Sequence, residues 1–165
     1  MRLLCLVVLA LPLAAQQGPQ PPACATSAYR EFDFWIGTWD VFIPDGRQAG
    51  SNTIDSVLGG CALHEQWTSA GGGHGFSYNI YDFTRRVWHQ TWVDASGTLL
   101  QLEGGLANGA MVLQGESIGR EGPVWNRITW TPIARDSVRQ HWEVRSDTAS
   151  AWRTVFDGLY VRKDN

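Results

Sequence analysis

The 165-residue chain is 44% hydrophobic and 18% charged, with 18 glycines, 7 prolines and 3 cysteines, a composition that fits one ordinary globular domain. Thirteen Lys+Arg against 16 Asp+Glu leave a net charge of −3, so no broad cationic surface exists to neutralise phosphates and nucleic-acid binding is disfavoured. The outlying number is nine tryptophans, each with a large apolar area to bury and one N–H in need of a partner.

The chain opens with Arg2, an apolar run over residues 3–11, Pro12 and the small pair Ala14-Ala15. This order reads as a secretory signal over residues 1–15, too short to span ~30 Å of hydrocarbon as a helix. A polar, Gln/Pro-rich spacer over residues 16–31 follows, and no stable membrane anchor is expected. Cys24 follows Pro21-Pro22-Ala23, which carries Pro21 where a lipid-attachment site has an aliphatic residue three before its Cys. Cleavage removes Cys5 and leaves Cys24 and Cys61, an even pair in an oxidising compartment. A disulfide between them is expected, with two buried thiols as the alternative. No second Cys or His stands at ligand spacing from either, so no metal site is expected there.

Residues 32–41 read Phe-Asp-Phe-Trp-Ile-Gly-Thr-Trp-Asp-Val. Beyond them, segments of period-two character alternate with Gly/Asp/Asn/Ser turns every 8–12 residues or so, a spacing typical of all-β sandwiches and barrels. Strands are predicted over 38–43, 50–58, 61–68, 75–81, 87–94, 98–106, 110–116, 126–131, 137–145 and 152–162. The turns between them include Asp45-Gly46, Gly59-Gly60, Asn108-Gly109 and the stretch 119–123. Because every connection is short, sequence neighbours should pair antiparallel. A meander of about ten strands tends to close on itself, so residues 32–165 are expected to form one up-and-down barrel.

The Phe-Asp-Phe-Trp-x-Gly-x-Trp opening, with Gly37-Thr38-Trp39 on the first strand, resembles the start of lipocalin-like (calycin) barrels. It also resembles a group of small secreted bacterial proteins of unknown function. The calycin resemblance implies a short helical turn before the first strand, Trp39 at the closed end, and a basic residue of the last strand packed across it. Arg162 is the matching residue, and a cation–π contact of ~1–2 kcal/mol would account for the pair.

Alternate strand residues face a barrel's lumen, so parity proposes a pocket. In 137–145 the polar set Arg139, His141, Glu143 and Arg145 belongs outside, which leaves Val138, Gln140, Trp142 and Val144 inside. In 61–68, His64, Gln66 and Thr68 read outward, and Leu63, Glu65 and Trp67 inward. In 87–94 the larger area of Trp88 and Trp92 sends them inward with Gln90, placing His89 outside. In 75–81 the faces are Phe76, Tyr78, Ile80 and Ser77, Asn79, Tyr81; Asn79 and Tyr81 are assigned to the lumen. Arg127 either reaches Glu65 or sits in solvent. The expected ligand-binding set is Glu65, Trp67, Asn79, Tyr81, Trp88, Gln90, Trp92, Gln140 and Trp142. Apolar walls with a few polar groups suit a small hydrophobic or aromatic molecule.

Two other readings stay open. The interior could be a filled, self-satisfied network in a barrel that works through its surface as an envelope or partner-binding module. Alternatively, Glu65 could act as a catalytic general acid or base beside Gln90 and Gln140; for a glycosidase-type carboxylate pair, Glu103 is the only second acid that parity allows. No Gly-x-Ser-x-Gly elbow, P-loop or dinucleotide fingerprint is present, and no cofactor is expected. His64, His89 and His141 read as outer-wall residues, and His74 lies in a glycine-rich turn that could sit at the barrel mouth.

Overall fold

A computed structural model describes residues 23–120 and 122–163; the expected signal lies outside them. Two 3₁₀ turns, Ser27–Arg30 and Asp33–Trp35, lead into ten strands. These are β1 (Gly37–Phe42), β2 (Gln48–Val57), β3 (Ala62–Ser69), β4 (His74–Asp82), β5 (Val87–Asp94), β6 (Leu99–Ala107), β7 (Ala110–Gly119), β8 (Gly122–Ala134), β9 (Ser137–Arg145) and β10 (Arg153–Arg162). Each strand pairs antiparallel with its sequence neighbours, and β1 pairs with β10, so the sheet closes into the expected barrel. Closure leaves no exposed sheet edge. Among the described residues no helix is long and apolar enough to cross a membrane.

The turns follow local chemistry. Asn108 and Gly109 both adopt positive φ, 51° and 80°, as a two-residue hairpin loop between β6 and β7 requires. The eighth strand is longer than expected, reaching from Gly122 to Ala134 instead of 126–131. Pro123, expected in the preceding turn, and Pro132 both lie near the strand ends, and the register shifts beside Pro132, where a missing N–H is tolerated.

One end of the barrel is plugged by the segment before β1. Phe32 and Trp35 are fully buried and stack at 5.0 Å, with Phe32 also 5.7 Å from Trp88 and 5.2 Å from Trp130. Trp39 donates its indole N–H to the Trp35 carbonyl at 3.0 Å. The Arg162 guanidinium lies 4.2 Å over the Trp39 ring, as expected, and donates to the Ile36 carbonyl at 3.1 Å from both terminal nitrogens. Gly37 makes the contact possible: it sits at φ 147°, and a Cβ there would overlap the guanidinium. The Gly-x-Trp signature therefore supplies two residues of a three-residue lock, completed by Arg162, that joins the first strand, the last strand and the plug.

A disulfide joins Cys24 to Cys61, 37 residues apart, and Arg30 donates to the Gly60 carbonyl beside it. The N-terminal segment is thus tied across the start of β3 by a covalent bond and a charged hydrogen bond.

Two stability changes are expected. Replacing both cysteines by serine should lower the unfolding free energy in urea by about 3–4 kcal/mol, the loop-entropy value for a loop of this length. Arg162→Ala should cost about 2 kcal/mol, and Gly37→Ala a comparable amount. Because both act on one contact, the double variant should lose clearly less than the sum, which a double-mutant cycle in denaturant would read.

Candidate functional site

Lumen residues stack in tiers along the barrel axis, because successive inward positions on a strand lie two residues apart. Trp88, Trp130 and Trp39 form the tier against the plug. A middle tier is polar. Glu65 faces Ser77 across the β3–β4 pairing, and Asn79 faces Gln90 across the β4–β5 pairing. The Ser77 hydroxyl donates to Glu65 Oε2 at 2.6 Å and accepts from Asn79 Nδ2 at 2.9 Å, while Gln90 Nε2 donates to Asn79 Oδ1 at 2.8 Å. From the other side, Asn52 Nδ2 donates to Glu65 Oε1 at 2.8 Å and lies 3.3 Å from the Tyr160 hydroxyl, which in turn donates to Gln140 Oε1. Donors run toward the carboxylate from Gln90 through Asn79 and Ser77, whereas beyond Asn52 they run away from it, through Tyr160 to Gln140.

Toward the open end the lumen holds a cavity of about 250 Å³ lined by Glu65, Trp67, Gln90, Trp92, Leu100, Ile128, Gln140, Trp142, Val155, Phe156 and Tyr160. Glycines explain why these rings line the wall instead of filling the bore. A Cβ at Gly50 or Gly158 would come within 2.7 or 2.6 Å of ring carbons of Trp67 and Phe156, and one at Gly75 closer still to Trp92. Each of the three rings therefore lies over a bare stretch of backbone. Trp142 is fixed differently, donating its N–H to Asn126 Oδ1 at 3.0 Å, while Asn126 donates to Ser117 Oγ at 2.9 Å. A shallower recess of about 170 Å³ shares Trp67 and Trp92 and adds Ser69, Gly73, His74, Asp94, Ala95 and Ser96, so His74 does sit at the mouth.

The structure thus brings Glu65, Trp67, Gln90, Trp92, Gln140 and Trp142 to one cavity. Three expected residues sit elsewhere in the lumen. Trp88 belongs to the plug and donates to Glu31 at 3.2 Å, Tyr81 lies 5.4 Å from Tyr29 at the same end, and Asn79 stands behind Ser77 in the polar tier. Parity fixed their face and left their depth open. Asn52, Ser77, Phe156 and Tyr160 were not singled out. The last two carried a signal, since they share inward parity with Arg162 on β10.

Other residues face outward. Arg127 does not reach Glu65; it pairs with Glu143 at 2.8 Å on the outer wall and lies over Trp152. Glu103 is also outside, held by Arg85 at 2.7 Å and His89 at 3.1 Å, so it forms no acid pair with Glu65. His64 stacks 4.8 Å from Tyr78, and His141 lies 2.9 Å from the Thr154 hydroxyl, both on the outer face. Among the described residues no cluster of three or more His, Cys, Asp or Glu could hold a metal ion.

Glu65 is only 4% exposed, and no cationic side chain among the described residues contacts it. Desolvation raises its pKa to about 7, against the lowering effect of its bonds from Ser77 and Asn52. Burial also pushes the Tyr160 phenol well above its usual range, reinforced by the nearby Glu65 charge. No protein-family model matches the chain and no curated protein matches it. The closed antiparallel barrel is compatible with a calycin-like fold.

A carboxyl whose folded pKa lies above its unfolded value adds stability below about pH 4.5 that is lost as pH rises through about 7. Between pH 5 and pH 8 the parent should therefore lose about 3 kcal/mol relative to Glu65→Gln, which keeps the shape and removes the ionisation. Denaturant unfolding of both proteins at the two pH values measures it; equal slopes would mean that Glu65 titrates normally.

Proposed function

We propose that the protein is an exported barrel that binds a small hydrophobic or aromatic molecule in the tryptophan-lined end of its lumen. The observation that carries this reading is the cavity of about 250 Å³, walled by Trp67, Trp92, Trp142 and Phe156 and floored by Glu65, Gln90 and Gln140. An apolar cavity of ~150 Å³ is enough to hold benzene, so this one has room for a ring with a short substituent. A filled barrel would leave space for only a few waters, whereas this volume corresponds to about eight at ~30 Å³ each. The glycines under three of the rings favour the same reading, because they keep the indoles and the Phe156 ring out of the centre.

The catalytic alternative shares Glu65 with this reading. A glycosidase-type carboxylate pair is not formed, because Glu103 is on the other side of the wall. Export agrees with the Cys24–Cys61 disulfide, which persists in oxidising compartments.

Titration with small neutral aromatics such as indole and 2-phenylethanol should shift or quench the tryptophan emission in a saturable way. Gly75→Ala pushes the Trp92 ring into the cavity and should weaken that binding by tenfold or more while the fold survives. A broad panel of probes that never enters the lumen, or a Gly75→Ala variant that binds as the parent does, would rule out the cavity as the site.

A further inference from the structure

The polar tier is built for a negative charge that the protein does not balance. Every hydrogen bond that Glu65 makes is one it accepts, from Ser77 Oγ and Asn52 Nδ2, and Ser77 is itself aligned by Asn79 and Gln90. These bonds occupy two of the roughly four acceptor positions of a carboxylate. Glu65 is also part of the cavity lining, so the remaining capacity is available from the cavity.

Among the described residues, no lysine or arginine lines either the cavity or the recess at its mouth. Arg127 is engaged with Glu143 outside, and Arg162 with Trp39 in the plug. At the mouth the Asp94 carboxyl is held down to about 2, chiefly by the Ser96 hydroxyl, so an approaching ligand meets a second anion. A buried carboxylate lacking a cation costs several kcal/mol, and a bound cation would remove that cost. Above it stand three indoles and a phenyl ring, which attract an organic cation and stack on an aromatic one.

Resting on the reading that the cavity binds an aromatic molecule, we infer that its ligand class is a small arylalkylamine. The protonated nitrogen donates to the Glu65 carboxylate on the floor, and the ring lies between Trp67, Trp92, Trp142 and Phe156. A neutral ligand of the same shape would leave the carboxylate without its cation, and an anionic one would be repelled by it. Binding is proton-linked, because the ammonium requires the ionised carboxylate. The groups facing Glu65 add one further titratable side chain, the Tyr160 phenol of β10: β2 presents Asn52 and Ile54, β4 Ser77 and Asn79, β5 Gln90 and β9 Gln140. Tyr160 stays protonated throughout the neutral range because its pKa is raised.

Three ligands of nearly one shape test this: 2-phenylethylamine, 2-phenylethanol and phenylacetate, titrated by tryptophan fluorescence and calorimetry at pH 5 and pH 8. The amine should bind at least tenfold tighter than the alcohol at pH 8, and phenylacetate weakest. Amine affinity should fall at least tenfold on going to pH 5, as Glu65 takes up its proton, while the alcohol's stays level. Glu65→Gln should abolish both the amine's advantage over the alcohol and the pH dependence of amine binding. If that variant fails to fold, the pH dependence of the parent decides alone. Alcohol binding as tight as the amine, or amine binding independent of pH, overturns the amine inference and leaves the aromatic-ligand reading standing. Failure of all three to bind overturns both.

Discussion

The width of the bore is the constraint on which the rest of this structure depends. Barrel diameter grows with strand number, and side chains from an eight-stranded wall just fill the interior. Ten strands enclose more than their own inward residues can fill, so a closed end must be supplied from outside the sheet. Here the two 3₁₀ turns before β1 supply it with Phe32 and Trp35, both fully buried among Trp88 and Trp130. The Cys24–Cys61 bond and the Arg162 stack on Trp39 then fix the plug to the start of β3 and to the last strand. At the opposite end no such insertion exists among the described residues, and the glycines beneath Trp67, Trp92 and Phe156 let the rings lie back. The same surplus width is plugged at one end and left as a cavity at the other.

Glu65 sits where those two regimes meet, and its position explains its chemistry. A carboxylate at the mouth would be solvated and ordinary, and one in the plug would be surrounded only by indoles. In the middle tier it is removed from water yet reached by hydroxyl and amide donors from β2 and β4. Those donors offset only part of the desolvation, which is why its pKa is raised to about 7 and not lowered. The result is a group that changes charge near neutrality at the floor of an apolar pocket, a condition often found at working sites.

The sequence made the architecture legible because turn residues and alternation are local signals. Gly37-Thr38-Trp39 and Arg162 pointed to the lock, and the polar outer sets of 61–68 and 137–145 pointed to Leu63, Glu65, Trp67, Gln140 and Trp142 as inward. Depth along the axis is not local, since it depends on the stagger between strands, and so Trp88 and Tyr81 could not be told from Trp92 by parity. Ligand identity leaves no mark in such patterns. Arg127 shows the complementary limit. Its course was open between Glu65 on β3 and solvent, and Glu143, directly across the β8–β9 pairing on the outer wall, took it. The matching residues on β10 could have been found: once Arg162 is placed over Trp39, parity carries Tyr160, Gly158 and Phe156 inward with it.

Strand β4 weighs these forces against each other. Its outer face leaves Phe76 47% and Tyr78 57% exposed, while Ser77 and Asn79 are buried. A one-residue slip would exchange the two faces and bury three apolar side chains, a gain of about 1.5–3 kcal/mol for each on area alone. The slip is opposed by more than it would return. It would take Ser77 from Glu65 and leave a buried carboxylate with one donor fewer, at a cost of several kcal/mol. It would also move Gly75 from under Trp92 and replace it with a side chain where a Cβ alone collides with the ring. On both sides β4 is held in long antiparallel ladders, to β3 and to β5, so its own hydrophobicity is outvoted by its neighbours' register. A strand that turns its greasier face to solvent in order to keep a serine on a buried carboxylate and a glycine beneath an indole is best understood as serving the cavity.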